Sequence, residues 1–197
     1  MIPHQIYNSK KQIKEYAMKH FFMDLEFLCD EDFAYEDDVI AICLLSEDDQ
    51  FELTSLVKPY DEDFQVSEYC TTLTGITQES LLDKPYFSDV YETMIENTSD
   101  EDIIYVWGNV DLEAVYKLSI EIAGELEFNI VDFQDEFMQY CGLAFRPGLK
   151  KVYEALTDDT ALTHHDVRND TVMLKKIYQI FKADPKAAMR KVKGRMR

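Results

Sequence analysis

In His20-Phe-Phe-Met-Asp-Leu-Glu-Phe-Leu28, two acids one residue apart interrupt a run that is otherwise apolar and aromatic. Side chains alternate between the two faces of a strand, so Asp24 and Glu26 point one way and Met23, Leu25 and Phe27 the other. Two unpaired acids on one buried face are costly and repel each other unless a cation lies between them. The pair suggests a hard divalent ion. Alone, a D-x-E in so acidic a chain reads better as the wet face of an edge strand, and the rest of the chain has to decide.

Downstream, the acid-rich residues Asp30 to Asp38 predict a loop. Val39-Ile-Ala-Ile-Cys-Leu-Leu45 and Phe51-Glu-Leu-Thr-Ser-Leu-Val57, separated by five polar residues, then predict a hairpin. The opening is a three-stranded meander that Lys58-Pro59 ends. Thr74-Gly75-Ile76-Thr77 offers a turn and a threonine able to cap a helix starting at Gln78. Phe87 with Val90, and Tyr91 with Met94 and Ile95, fall at helical spacing.

From Ile103 the rhythm becomes strand then helix: Ile103 to Trp107 before Asp111 to Leu126, and Phe128 to Phe133 before Gln134 to Cys141. Such alternation predicts parallel strands with helical crossovers. Further helices are expected at Leu149 to Leu156 and at Thr171 to Phe181, where Leu174, Ile177, Tyr178 and Phe181 form an apolar stripe.

A length of 197 residues suits one domain with a sizeable core. With 46% hydrophobic residues, 6 Gly and 5 Pro, the chain is neither disordered nor collagen-like. No apolar stretch is long enough to span a bilayer, and Met1 to Lys19 lacks an apolar signal core, which points to a cytoplasmic protein with no membrane partner. Cys29, Cys43, Cys70 and Cys141 are too scattered for a zinc ribbon, a redox dithiol or a disulfide framework. The net charge of −19 argues against gripping a polyanion with the whole surface. The last twelve residues, KAAMRKVKGRMR, hold six basic and no acidic residues. They read as a solvated frayed tail or as a local contact for an anionic partner.

Two further motifs join the first. Trp107-Gly-Asn-Val-Asp111 places an acid where a strand gives way to a helix, a position at which backbone N–H groups and the helix dipole favour a carboxylate. Thr163-His-His-Asp-Val-Arg-Asn-Asp170 places a histidine five residues before an acid that opens the last long helix. Each alone reads as a helix cap or a polar loop.

Together and in this order, these residues resemble the DEDDh family of 3′ to 5′ exonucleases: D-x-E at Asp24 and Glu26, Asp111 in the middle, and H-x4-D at His165 and Asp170. Leu56-Val-Lys-Pro59, Leu73-Thr-Gly-Ile-Thr-Gln-Glu79, Val106-Trp-Gly-Asn-Val-Asp111 and Leu149-Lys-Lys-Val-Tyr-Glu-Ala-Leu156 look like family landmarks. The D-L-E-F opening and Trp107-Gly108 look closest to the branch containing the sporulation inhibitor KapD and the histone-mRNA and small-RNA exonucleases. Thr163 and His164 depart from the glycine-led approach to the histidine, and Thr171 stands where a small alanine is expected. His164 leaves open which imidazole faces the site, and the five-residue step to Asp170 favours His165.

The resemblance implies a ribonuclease-H-like α/β fold: a mixed five-stranded sheet, meander first and βα units second, with its second strand antiparallel and helices on both faces. It divides the chain into an extension (1–19), an exonuclease domain (20–183) and a basic tail (184–197). It also implies two Mg²⁺ or Mn²⁺ ions held by Asp24, Glu26, Asp111 and Asp170, with His165 as general base, since an imidazole titrates near neutrality. Glu26, Phe27 and the Thr74-Gly75-Ile76 turn would receive the terminal nucleotide, although strict alternation in the first strand would send Phe27 to the core. The expected partner is a single-stranded 3′ end, RNA ahead of DNA, with release of nucleoside 5′-monophosphates. A DNA exonuclease of proofreading or repair type and a non-catalytic acidic regulator are the competing readings.

Overall fold

β1 (His20–Cys29) is the axis of the sheet, and every other element is placed relative to it. The computed structural model describes residues 18–125 and 128–195, so most of the expected extension, the end of the long helix at Leu126 and the last two residues lie outside the described residues. β2 (Ala34–Ser46) pairs antiparallel with β1, and β3 (Glu52–Leu56) pairs antiparallel with β2 at one edge. β4 (Ile103–Val106) and β5 (Asn129–Asp132) continue the sheet in parallel on the other side. The order β3-β2-β1-β4-β5, with β2 alone reversed, is the expected mixed five-stranded sheet.

The strand pattern of β1 divides the core. Phe21, Met23 and Leu25 pack on one face against α3 (Phe87–Asn97) and α4 (Asn109–Ala123), through Tyr91, Met94, Ala114, Val115 and Leu118. Phe22 faces the other way, onto α5 (Phe133–Cys141), α6 (Leu149–Thr157) and α7 (Val167–Ala183), through Phe137, Val152, Leu174 and Ile177. Further along that face Leu28 and Ile40 meet Cys70 of a short helix, Glu68–Thr74, and Leu81 of another, Gln78–Leu81. In element order these two are α1 and α2. Helices therefore cover both faces.

Three segments differ from the sequence reading, each for a local reason. β2 starts at Ala34, inside the stretch expected to be a loop, because Asp30 closes a tight turn. Its Oδ1 accepts from the Asp32 and Phe33 N–H groups, both at 2.9 Å, and its Oδ2 from the Tyr35 hydroxyl at 2.7 Å. This side-chain substitute for turn backbone lets the following residues pair, so that Ala34 and Tyr35 lie opposite Cys29 and Leu28. α1 was not anticipated; Ser67 caps it, accepting from the Cys70 N–H at 2.9 Å, and Gly75 ends it at φ +76°.

The basic stretch expected as a frayed tail forms helix α8 (Pro185–Arg195), with Ala188 and Val192 buried. Its cations meet the C-terminal end of α6. Lys191 Nζ donates to the Leu156 carbonyl at 2.9 Å and Arg195 Nη1 to that of Glu154 at 3.1 Å. Cations are favoured there because the last helical carbonyls have no partner within their own helix.

Candidate active site

Asp24, Glu26, Phe27, Asp111, His165 and Asp170 all line one cleft of about 260 Å³ at the end of the sheet, together with His164, Leu73 and Val110. β1 supplies its floor. Asp24 and Glu26 project from one face, as alternation requires, and one oxygen from each lies within 4.8 Å of the other and of an Asp170 oxygen.

Helix N-termini bring the remaining acids from opposite faces of the sheet. Gly108, at φ +112°, turns the chain out of β4 into α4, and its N–H donates to Asp132 Oδ1 at 2.9 Å. Asp111 thus falls in the first turn of α4, buried, where its carboxylate accepts from the backbone N–H of Leu25, between the two β1 acids. From the other face, Asp166 caps α7 by accepting from the Asn169 N–H at 2.8 Å, and Asp170 sits in the first turn. Arg168 pins this helix end by forking onto Glu52 of β3 at 2.6 and 3.0 Å. Thr171, in place of the expected alanine, is fully buried and turns its hydroxyl back to the Val167 carbonyl at 2.7 Å.

Phe27 keeps the alternation of β1, packing on the same core as Met23 and Leu25. The β1–β2 register shifts on both sides of it, and the extra residues lie on β2: Ile40 in the first shift and residues 36–38 in the second. Phe27 packs on the edge of the core and lines the cleft as well. On the facing wall α1 contributes Leu73, which sequence reasoning passed over although it stands next to the Thr74 turn. Thr74, Gly75 and Ile76 form the turn beyond it: the Thr74 hydroxyl bonds the Cys70 carbonyl at 2.8 Å, and Ile76 is buried.

The electrostatics are those of a cation site. Desolvation, reinforced by Asp111, Asp170 and Glu26, holds Asp24 well above the usual carboxylate range. Burial, with Asp170 and Asp111 adding repulsion, pushes Glu26 up to about 8. Asp111 rises to about 7, chiefly by burial and against its backbone hydrogen bonds. Asp170 is 2% exposed, and its Oδ1 has no hydrogen-bond partner. A buried oxygen without a donor, among three other desolvated acids, fits the oxygen shell that hard divalent ions require.

Both imidazoles reach the cleft. His165 lies at φ +62°, a left-handed conformation uncommon for a residue with a side chain, and this packs its ring against that of His164 at 4.0 Å between centroids. Burial, followed by the neighbouring His164, lowers its pKa. His164 is no bystander, because its Nδ1 is 2.7 Å from Asp170 Oδ2, the oxygen that also accepts the His165 N–H at 3.0 Å. The five-residue spacing could not reveal that contact.

Residues 21–178 match the family model described as exonuclease (RNase_T). Comparison with curated proteins finds no match. Among solved structures, a full-length 3′-exonuclease aligns at TM-score 0.69 and 19% identity over 86% of this chain and 62% of its own. A 3′-exonuclease described in specific recognition of the 3′ end of the histone mRNA stem-loop aligns at 0.69 and 18%, over 87% and 68%. The cell-death related nuclease CRN-4 aligns at 0.65 and 20%, over 84% and 64%. The chain thus spans about two thirds of these proteins, and the likeness is one of fold.

Proposed function

The chain belongs to the exonuclease family, and on that premise we propose that it removes nucleotides one at a time from the 3′ end of RNA, releasing nucleoside 5′-monophosphates. The observation that carries this reading is the convergence of four acids and His165, from β1, α4, the 158–166 loop and α7, on one cleft that holds an unpartnered buried oxygen. A non-catalytic acidic protein would have no use for a desolvated imidazole beside those acids. RNA is preferred because of the similarity to the 3′-exonuclease described with histone mRNA.

Asp24, Glu26, Asp111 and Asp170 would hold the divalent ions, Mg²⁺ or Mn²⁺. When bound, such ions offset the charge on the attacking and leaving oxygens of a phosphodiester. His165 takes a proton from the attacking water; its lowered pKa keeps the ring neutral and able to accept at neutral pH. Phe27 and Leu73 flank the terminal base, the Thr74-Gly75-Ile76 turn supports Leu73, and Glu26 with the backbone at Phe27 receives the 3′-hydroxyl.

The test uses 5′-labelled RNA and DNA oligomers of one sequence, with a free or phosphorylated 3′ end, in Mg²⁺ and in EDTA. A ladder of shortening fragments from free-ended RNA, poor reaction at a 3′-phosphate, and none in EDTA are expected. Cutting of a circular strand, or release of the 5′-labelled nucleotide first, would overturn the terminus-binding roles. Faster reaction on DNA would overturn the substrate.

A further inference from the structure

The metal site implied by the family is made of carboxylates, but the cleft also holds a cluster of a different chemical character. One ring nitrogen of His164, one of His165 and one oxygen of Asp170 all lie within 4.8 Å of one another. His164 Nδ1 already faces Asp170 Oδ2 at 2.7 Å, so the two atoms share one proton position. The two rings stack 4.0 Å apart at an interplanar angle of 27°, an arrangement imposed by the left-handed backbone at His165. Asp170 itself is buried with its other oxygen unpartnered, so the carboxylate is not saturated by the protein.

Ligand chemistry distinguishes this cluster from its neighbours. Mg²⁺ requires oxygen ligands in near-octahedral array, whereas imidazole nitrogens select Zn²⁺ and other borderline transition ions. Two histidines and one carboxylate leaving a fourth position open is a known donor set for zinc. Zinc–nitrogen and zinc–oxygen bonds of about 2.0–2.2 Å put tetrahedral ligands roughly 3.3 Å apart, so His164 would need to back away from Asp170 by about half an ångström. Its side chain is 36% exposed and lies on the connection between α6 and α7, where such a movement disturbs no packed element.

We propose that His164, His165 and Asp170 form a zinc site that switches the enzyme off. One zinc ion there removes two groups that the proposed hydrolysis needs. It occupies the lone pair with which His165 accepts a proton, and it draws Asp170 away from the divalent ions of the carboxylate floor. His164 creates this sensitivity, because without it the cleft offers zinc a single nitrogen. The inhibitory consequence rests on the nuclease reading above; the metal preference does not.

The test is calorimetric titration of the full, metal-free chain with Zn²⁺ in excess Mg²⁺, with Co²⁺ as a visible-absorbing probe of the same ligands. The wild type should take up one Zn²⁺ that Mg²⁺ does not displace, and its Co²⁺ form should show the intense bands of four-coordinate nitrogen-containing ligation. His164→Gln and His164→Asn should each weaken zinc by roughly 10²-fold or more and abolish those bands, with unchanged metal-free melting as the check on folding. Asp24→Asn, which alters only the carboxylate floor, should retain the zinc affinity. Zinc affinity unaffected by either His164 variant, or lost as fully in Asp24→Asn, would place the ion among the carboxylates and overturn the site. In Mg²⁺ assays, zinc should lower the wild-type rate over the range in which the site fills, and the His164 variants should keep a larger fraction of their own zinc-free rate. A chain with no nuclease activity would sink the function proposed above, and the calorimetry and Co²⁺ spectrum would still decide the zinc site.

Discussion

Five residues apart on α7, Asp170 and Lys175 are both buried charged side chains, at 2% and 7% exposure, and the structure treats them differently. Lys175 donates to the Ser46 carbonyl and to Asp49 Oδ1, both at 2.6 Å, and so fastens the helix to the turn between β2 and β3. Asp170 has one oxygen bonded to His164 and to the His165 backbone and the other to nothing, with Asp24 and Glu26 within ligand distance. A buried charge whose partners are all supplied by the chain holds the fold together. One left with a free lone pair among other acids keeps a coordination position open for a ligand.

Removing the charge at the floor is expected to have the largest effect. Asp24→Asn should abolish nucleotide release in saturating Mg²⁺, while the metal-free protein melts at or above the wild-type temperature because repulsion among the acids is relieved. Near wild-type turnover would show that the unsatisfied end of α7 is not a metal site, and the contrast with Lys175 would lose its meaning.

Next in size, His165→Ala should lower turnover by roughly 10² to 10⁴, the range for a positioned base, with little change in Mg²⁺ affinity. Loss of metal binding in parallel with turnover would make the imidazole a ligand instead of a base.

Lys175→Met sharpens the comparison from the structural side. It should leave turnover within about twofold and lower stability by about 1–3 kcal/mol, since the Ser46 carbonyl loses its donor in a buried setting. For a chain of this length that is a fall in Tm of roughly 2–4 °C per kcal/mol. A large drop in turnover without a drop in Tm would assign Lys175 to the site.

The smallest expected effect is in pH dependence without metal. The folded pKa of Glu26, about 8, lies above its ordinary value of 4.5, so the neutral acid is the form that folding favours. Its contribution to stability is complete below about pH 4.5 and is lost as pH rises through 8. Glu26→Gln should therefore gain in Tm relative to wild type across that window, and Mg²⁺ should raise the wild-type Tm most at its alkaline end. Parallel Tm curves for the two proteins would contradict the raised pKa.

Much of this was legible in the chain itself. Short-range geometry placed the D-x-E on an apolar strand, the acid after Trp107-Gly108 and the acid closing His165 to Asp170, because strand alternation and the first turn of a helix fix where a side chain points. It took the resemblance of their order to the exonuclease family to read them as one site. The same periodicities gave the meander followed by βα units. What stayed hidden depends on contacts between residues distant in sequence or on side chains replacing backbone. Asp30 closes the β1–β2 turn and converts an acidic loop into strand, and the apolar positions Ala188 and Val192, too few to signal in so basic a stretch, dock α8.

The sequence by itself determined a meander followed by βα units, which follow from local spacing and residue type, and its resemblance to the exonuclease family singled out the four acids and His165 as candidates. Only the tertiary structure decided that α4 and α7 deliver Asp111 and Asp170 from opposite faces onto the same strand end. It alone put Phe27 at the edge of the cleft as well as of the core and set His164 against Asp170. Those outcomes depend on how β1 pairs and on which helix ends meet beyond it, and the packing of the whole sheet sets both.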